Sequence, residues 1–95
     1  MISRVYKEMA RILPVGLKAN LAAGSGNATT VNGATVIRIV ATSGNVVVFR
    51  TDSSNNIIGS FTQLNNTVEY VEKYAPDKIY VTGNAVEIAA VGYTN

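Results

Sequence analysis

Carboxylates are the side chains of this protein that could carry acid–base chemistry, because the sequence contains no histidine and no cysteine. That composition excludes Ser-His-Asp and Cys-His nucleophilic arrangements, and zinc sites built on imidazole or thiolate. A pair of carboxylates could still hydrolyse a glycosidic bond. The candidates are Glu8, Asp52, Glu69, Glu72, Asp77 and Glu87.

The positions of these acids favour structural roles over catalysis. Asp52 and Asp77 fall in polar turn segments, where a carboxylate usually accepts hydrogen bonds from nearby backbone N–H groups. Glu69 and Glu87 alternate with apolar residues, as outward positions on strands do. Residues 52–56 (DSSNN) offer oxygen ligands for calcium, but a single carboxylate favours a plain polar turn. We therefore predict that the protein is not an enzyme and binds no metal or cofactor.

Turn-forming residues follow one another at short intervals from residue 22 onward. Short runs rich in Val, Ile, Thr, Phe and Tyr separate them, a pattern typical of an antiparallel sandwich or barrel. We predict an all-β fold: a small antiparallel β-sandwich, jelly-roll-like or immunoglobulin-like, or a partly open barrel. The turn segments are residues 24–27, 32–33, 43–45, 52–56, 65–66, 75–78 and 82–84.

Two of the predicted strands are apolar on both faces. Residues 35–42 place Ile37 and Ile39 on one face but Val36 and Val40 on the other, and residues 46–49 are apolar throughout. The turn at residues 43–45 predicts that these two strands form a hairpin. In a small sandwich only one face of a sheet meets the core, so the second face requires another cover. Val68 and Tyr70 share one face of a further strand, which alternation assigns to the core.

Residues 1–20 are predicted as an N-terminal arm or short helix, and residues 21–95 as the β-sandwich domain. Apolar residues up to Leu13 recur at helical spacing, and Pro14 and Gly16 would end such a helix. The alternative is an extended arm in which residues 11–17 form an edge strand, with Pro14 limiting its pairing.

The charge distribution bears on possible partners. Charged residues make up 15% of the chain and the net charge is +2, while ten Asn and nine Thr supply neutral polarity. Neutral polar groups are less costly to desolvate than charges, which suits a protein packed against partners; Asn and Thr also simply serve turns and strands. The basic residues are scattered, so we predict no nucleic-acid partner, and no run is long enough to predict a membrane helix. Tyr74, Tyr80 and Tyr93 are predicted as contact or core-edge residues, with a sugar platform less favoured because tryptophan is absent.

Several segments together resemble small virion proteins of tailed bacteriophages, including marine and cyanobacterial phages. The resemblance lies in residues 36–48 (VIRIVATSGNVVV), in residues 57–61 (IIGSF), in residues 67–73 (TVEYVEK) and in the acidic turn at residues 75–79. It covers about residues 30–93.

The resemblance implies a capsid decoration protein located in the virion, most simply on the capsid surface, and made in the host cytoplasm. Its partners would be the major capsid protein or other virion proteins, with self-association into a homo-oligomer and no membrane. A low-copy head–tail or tail component and a carbohydrate- or receptor-binding module are the alternatives. The predicted interface residues are Ile2, Val5, Tyr6, Ile12, Leu13, Val36, Val40, Val46 and Val48.

Overall fold

The protein is described by a computed structural model over residues 11–94, and these residues form eight β-strands and one short 3-10 turn. No helix of this described part is long and apolar enough to cross a membrane. The all-β prediction is confirmed. The strands are β1 (Arg11–Pro14), β2 (Ala19–Leu21), β3 (Val36–Ala41), β4 (Val46–Thr51), β5 (Ile57–Gln63), β6 (Thr67–Glu72), β7 (Lys78–Thr82) and β8 (Val86–Thr94), with the 3-10 turn at Ser25–Asn27.

The strands form two antiparallel sheets. In the large sheet β1 and β2 lie end to end along one edge of β8, and β3 and then β6 follow on its other side. The small sheet has the order β5-β4-β7. Their apolar faces pack together, which confirms the predicted β-sandwich.

The core between the sheets is built from alternate residues of the strands. On β3 the buried residues are Ile37, Ile39 and Ala41, in strict alternation with half-buried neighbours. Burying one such branched aliphatic side chain contributes about 1.5–3 kcal/mol. The other core positions are Leu21, Val46, Val48, Ile79, Val81, Val86 and Ile88.

The predicted hairpin of β3 and β4 is wrong. β3 belongs to the large sheet, where β6 and β8 occupy both of its edges, so it has no free edge for β4. The turn around Gly44 instead carries the chain from one sheet to the other. The buried residues of β3 and β4 therefore belong to one core, in which the two sheets pack together.

Hydrogen bonds of asparagine side chains connect three turns at one end of the sandwich, at residues 43–45, 65–66 and 82–84. The Asn65 side-chain oxygen accepts a hydrogen bond from the N–H of Gly44 at 3.0 Å, and the Asn45 side-chain oxygen accepts one from the N–H of Asn65 at 2.8 Å. The Asn84 amide donates to the carbonyl of Asn45 at 3.0 Å. Part of the high asparagine content thus serves turns, as the sequence suggested.

The described part of the N-terminal segment is extended. β1 pairs with β8, with Ile12 opposite Tyr93, so the helical alternative is wrong for residues 11–13. The N–H groups of Val15 and Gly16 both donate to the carbonyl of Ala90, at 3.0 and 3.1 Å, and this irregularity separates β1 from β2. The edge-strand alternative, predicted for residues 11–17, is confirmed for residues 11–14, and Pro14 ends the strand. Residues 1–10 lie outside the described range.

Candidate interaction surface

The large sheet has an apolar second face that points away from the core, called here the outer face. Its members alternate with the core residues along each strand, because successive side chains of a strand point to opposite sides. On β3, Val40 lies between Val68 of β6 and Glu87 of β8, and Arg38 lies between Tyr70 and Ala89. The apolar members of the outer face are Ile12, Val36, Val40, Val68, Tyr70, Ala89, Val91 and Tyr93.

Two tyrosines dominate the exposed area of the outer face. The rings of Tyr70 and Tyr93 lie with centroids 6.4 Å apart and tilted by 55°. Tyr70, Tyr93, Val68 and Ile12 keep 37–48% of their surface exposed. Tyrosine is enriched in protein interfaces because its ring supplies apolar area while its hydroxyl stays hydrogen-bonded to water or a partner.

Charged residues border this apolar area. Lys18 forms an exposed ion pair with Glu87 at 3.3 Å, and Glu72 lies at the far end of β6. Within the outer face, Arg38 is half-buried between Tyr70 and Ala89. An apolar area that contains one arginine and has charges at its border matches the composition of protein interfaces, in which arginine and tyrosine are enriched.

The predicted interface residues divide into three groups. Val36, Val40 and Ile12 lie on the outer face, and Leu13 lies on the opposite side of β1, with half of its surface exposed. Val46 and Val48 were expected on an outward face, and that placement is wrong because both lie in the core. The remaining three fall outside the described residues: Ile2, Val5 and Tyr6.

Sequence reasoning missed Val68 and Tyr70 as surface residues. Alternation along β6 assigned them to the core, but pairing with β3 places them on the outer face and exposes them. β6 is the last strand of its sheet, so its inward side is only partly covered, and Val71 is half-buried there. One signal in the sequence could have identified them. β3 is apolar on both faces, and the strands that pair with β3 continue its second apolar face.

A charged cleft lies at the end of the sandwich where β6 leads into β7. The cavity has a volume of about 600 Å³ and includes Arg50 and Tyr74 in its lining. Arg50 forms an ion pair with the buried Asp77 at 3.2 Å, and its guanidinium lies 5.9 Å from the centroid of the Tyr74 ring. The full lining is Thr35, Val36, Arg50, Glu72, Lys73, Tyr74 and Ala75.

Lys73 is almost fully buried beside this cleft. Its ammonium donates to the carbonyl oxygens of Tyr74 at 3.3 Å and of Ala75 at 3.1 Å. Burial lowers the pKa of the Lys73 ammonium from its ordinary value, and the carboxylate of Asp77 opposes that shift. These contacts hold the connection between β6 and β7 in place, which is a structural role.

The turn after β4 is organised by Asp52. One carboxylate oxygen accepts hydrogen bonds from the N–H groups of Ser54 and Asn56, both at 2.9 Å, and the other accepts one from the Asn56 side chain at 3.1 Å. The polar turn predicted for this segment is present, with the carboxylate of Asp52 as its hydrogen-bond acceptor. Within residues 11–94, no three Asp or Glu side chains cluster as metal ligands.

The aromatic residues of the small sheet contribute packing. Tyr80 is buried and stacks on Phe49, with centroids 4.7 Å apart and rings within 9° of parallel. Tyr74 is largely exposed at the cleft. Tyr80 alternates with the core residues Ile79 and Val81 and so lies with Phe49 on the other face of the small sheet, where it is buried. Tyr74 and Tyr93 are exposed, and their predicted role in contacts stays a prediction.

No protein-family model, no curated protein and no solved structure matches this chain.

Proposed function

We propose that this protein is a non-enzymatic structural protein of a bacteriophage virion that decorates and stabilises the capsid. It does so by self-association and by docking on the major capsid protein. The observation that supports docking is the outer face, where four strands present exposed apolar side chains, among them two half-exposed tyrosines. The choice of a phage shell is supported by the sequence resemblance alone.

The mechanism is passive. Burial of apolar surface contributes about 25 cal/mol for each Å² removed from water, and a standard interface buries roughly 800 Å² on each partner. The half-exposed Ile12, Val68, Tyr70 and Tyr93 supply area of this kind. A protein held between capsid subunits in this way raises the free energy needed to separate them.

A matched pair of substitutions tests the docking surface. Val68 lies on the outer face, and Leu64 lies in the turn after β5; both are aliphatic and exposed. We expect Val68→Lys to weaken binding to purified capsids by about tenfold or more, because an ammonium must then be desolvated in the contact. Leu64→Lys should bind as the unmodified protein does. Co-sedimentation with capsids measures both, and equal binding by the two variants would contradict the docking surface.

Electron cryomicroscopy of the virion tests the capsid assignment. Decoration predicts many symmetry-related copies on the shell. Absence of the protein from the virion would overturn the proposal, and a handful of copies at the neck or tail would replace it with a head–tail or tail component. Strong and specific binding of the isolated protein in a glycan array would favour a carbohydrate-binding module instead.

A further inference from the structure

The edges of the two sheets differ in how they are protected against pairing with another strand. β1 carries Pro14, and β6 carries Glu69 and Glu72. The edge of β7 is covered by residues 24–29: Thr29 and Ile79 exchange backbone hydrogen bonds of 3.0 and 2.9 Å, and the N–H of Gly24 donates to the carbonyl of Val81 at 2.8 Å. Proline, charge and a covering loop are the usual protections of sheet edges.

β5 lacks these protections. It spans Ile57–Gln63 (IIGSFTQ), contains no charged residue and no proline, and is exposed at every position except Gln63. Within residues 11–94 it pairs only with β4, so one edge of its backbone leaves N–H and C=O groups open. Its sole irregularity is a register shift at its start, opposite Arg50 and Thr51. An uncharged, apolar edge strand of this length is a template for a further strand.

The sequence of β5 is complementary to itself around Ser60. If two copies pair antiparallel with Ser60 at the two-fold axis, Phe61 of each copy lies directly opposite Gly59 of the other. Phe61 is 38% exposed, and a Cβ built on Gly59 would find no atom within 4 Å, so there is space for the ring. An aromatic side chain across from a strand glycine covers backbone that the glycine leaves bare.

We propose that β5 is the self-association edge of this protein, and that a second copy pairs with it antiparallel about Ser60. The two small sheets then form one continuous six-stranded sheet with closed two-fold symmetry. The proposed function includes self-association, and this inference identifies the strand that would carry it. Only the location of the dimer in a virion rests on the proposed function. The edge geometry supports the dimer itself without reference to a capsid.

A cavity beside the edge supports the same arrangement. It has a volume of about 160 Å³ between β5 and the facing strands, and Gly59, Phe61 and Val71 are part of its lining. Gly59 and Phe61 pair with Arg50 and Val48, whose side chains point towards the other sheet. In the dimer, the second copy's Phe61 lies opposite Gly59 at the mouth of this cavity and removes apolar surface from water.

Sedimentation of the full chain over a range of concentrations tests the dimer. The unmodified protein should reach twice the mass of one chain, and Ser60→Lys should raise the dissociation constant by about tenfold or more, because two ammonium groups then meet at the two-fold axis. Ser60→Glu should do the same by itself. An equal mixture of Ser60→Lys and Ser60→Glu should restore the dimer, because the opposite charges then face each other.

The controls separate this surface from the outer face. Val68→Lys should leave the dimer intact and weaken capsid binding, whereas Ser60→Lys should remove the dimer. Circular dichroism checks that Ser60→Lys is folded, and Thr62→Lys on the same exposed edge replaces it if it is not. A strictly monomeric unmodified protein at about 1 mM overturns the inference. So does a dimer unaffected by Ser60→Lys, or a mixture of charged variants that stays monomeric.

Discussion

At the scale of single residues, Gly44 occupies a position that other residues fill only with strain. Its φ is 136°, and a Cβ built there would collide with the side-chain amide of Asn84. We expect Gly44→Ala to lower the free energy of unfolding by about 1–3 kcal/mol. Gly26→Ala is the control, because nothing lies within 4 Å of its Cβ position and its φ is not positive. Urea denaturation measures both, and equal midpoints would contradict the expectation.

Asp52 gives the protein part of its sensitivity to acid. Hydrogen bonds from the backbone and side chain of Asn56, and then from the N–H of Ser54, hold the pKa of the Asp52 carboxyl below its ordinary value of 3.8. The unfolded chain therefore takes up this proton first as the pH falls. The stabilisation is present above that ordinary pKa and is lost as the pH falls through the lower pKa of the folded state.

The substitution Asp52→Asn isolates this contribution, because it keeps a side-chain oxygen acceptor and removes the titration. Between about pH 5 and about pH 2 the melting temperature of Asp52→Asn should fall less than that of the unmodified protein. Thermal denaturation followed by circular dichroism gives both curves. Parallel curves over this range would show that the hydrogen bonds to Asp52 do not favour its charged form.

The sequence predicted the Asp52 turn but not the burial of Lys73, and the difference is physical. A turn carboxylate finds its donors within a few residues, as Asp52 does at Ser54 and Asn56. Lys73 is almost fully buried, and its ammonium donates to two carbonyls that only the folded turn after β6 brings together. Residue types alone do not specify that enclosure.

At the scale of elements, strand positions were predictable but strand partners were not. The turn chemistry around Gly44 serves a hairpin and a crossing between sheets equally well, so it could not exclude the hairpin of β3 and β4. The hairpin is excluded by β6 and β8, which are distant from β3 in sequence and pair with both of its edges. The same pairing reverses the faces of β6 and turns Val68 and Tyr70 outward, and so most of the outer face could not be assigned from the sequence.

Gln63, at the end of β5, ties the two sheets together. Its buried amide donates to the carbonyl of Ile39 on β3 at 3.0 Å and to that of Thr67 on β6 at 3.1 Å. Gln63→Glu replaces this donor with a carboxylate facing two carbonyl oxygens. We expect a loss of at least about 3 kcal/mol of unfolding free energy at neutral pH, because a charge is buried without a donor.

The pH dependence of the stability of Gln63→Glu distinguishes the effect of the buried charge from the effect of the changed side-chain shape. The loss should grow as the pH rises above about 4.3, where an unfolded glutamate ionises. Gln63→Leu is the control, with a loss of about 1–2 kcal/mol from the missing hydrogen bonds and no dependence on this titration. Urea denaturation at pH 4 and pH 7 compares the two variants. Equal losses at both pH values would mean that water reaches the carboxylate and that the bridge is not buried.

At the scale of the whole molecule, the fold class followed from the spacing of turns and the alternation of apolar residues, and the structure confirms a two-sheet sandwich. The topology could not be predicted from the sequence. From β3 onward only the β4–β5 connection stays within one sheet, and every other connection crosses to the other sheet. Of the candidate surfaces, the second face of β3 was predicted through Val36 and Val40. The β5 edge was not predicted, because a strand is identified as an edge only once the pairing of all the other strands is known.

The two proposed contact surfaces lie on different sheets. The outer face belongs to the large sheet, and the β5 edge belongs to the small one. A pair of copies joined at β5, as proposed, would therefore present two outer faces at once. In the proposed assembly, two linked docking surfaces would hold a shell more tightly than either would alone, because the second contact would form at a high local concentration.

The central place of β8 also has a consequence for how the chain is made. β1, β2 and β3 all pair with β8, and Arg11 lies opposite Thr94. During synthesis β8 leaves the ribosome after the seven other strands, so the large sheet cannot be completed until β8 has emerged. Until then β3 can pair only with β6, and its edge towards β8 stays open, which is the kind of unpaired strand edge that makes incompletely folded chains prone to aggregation.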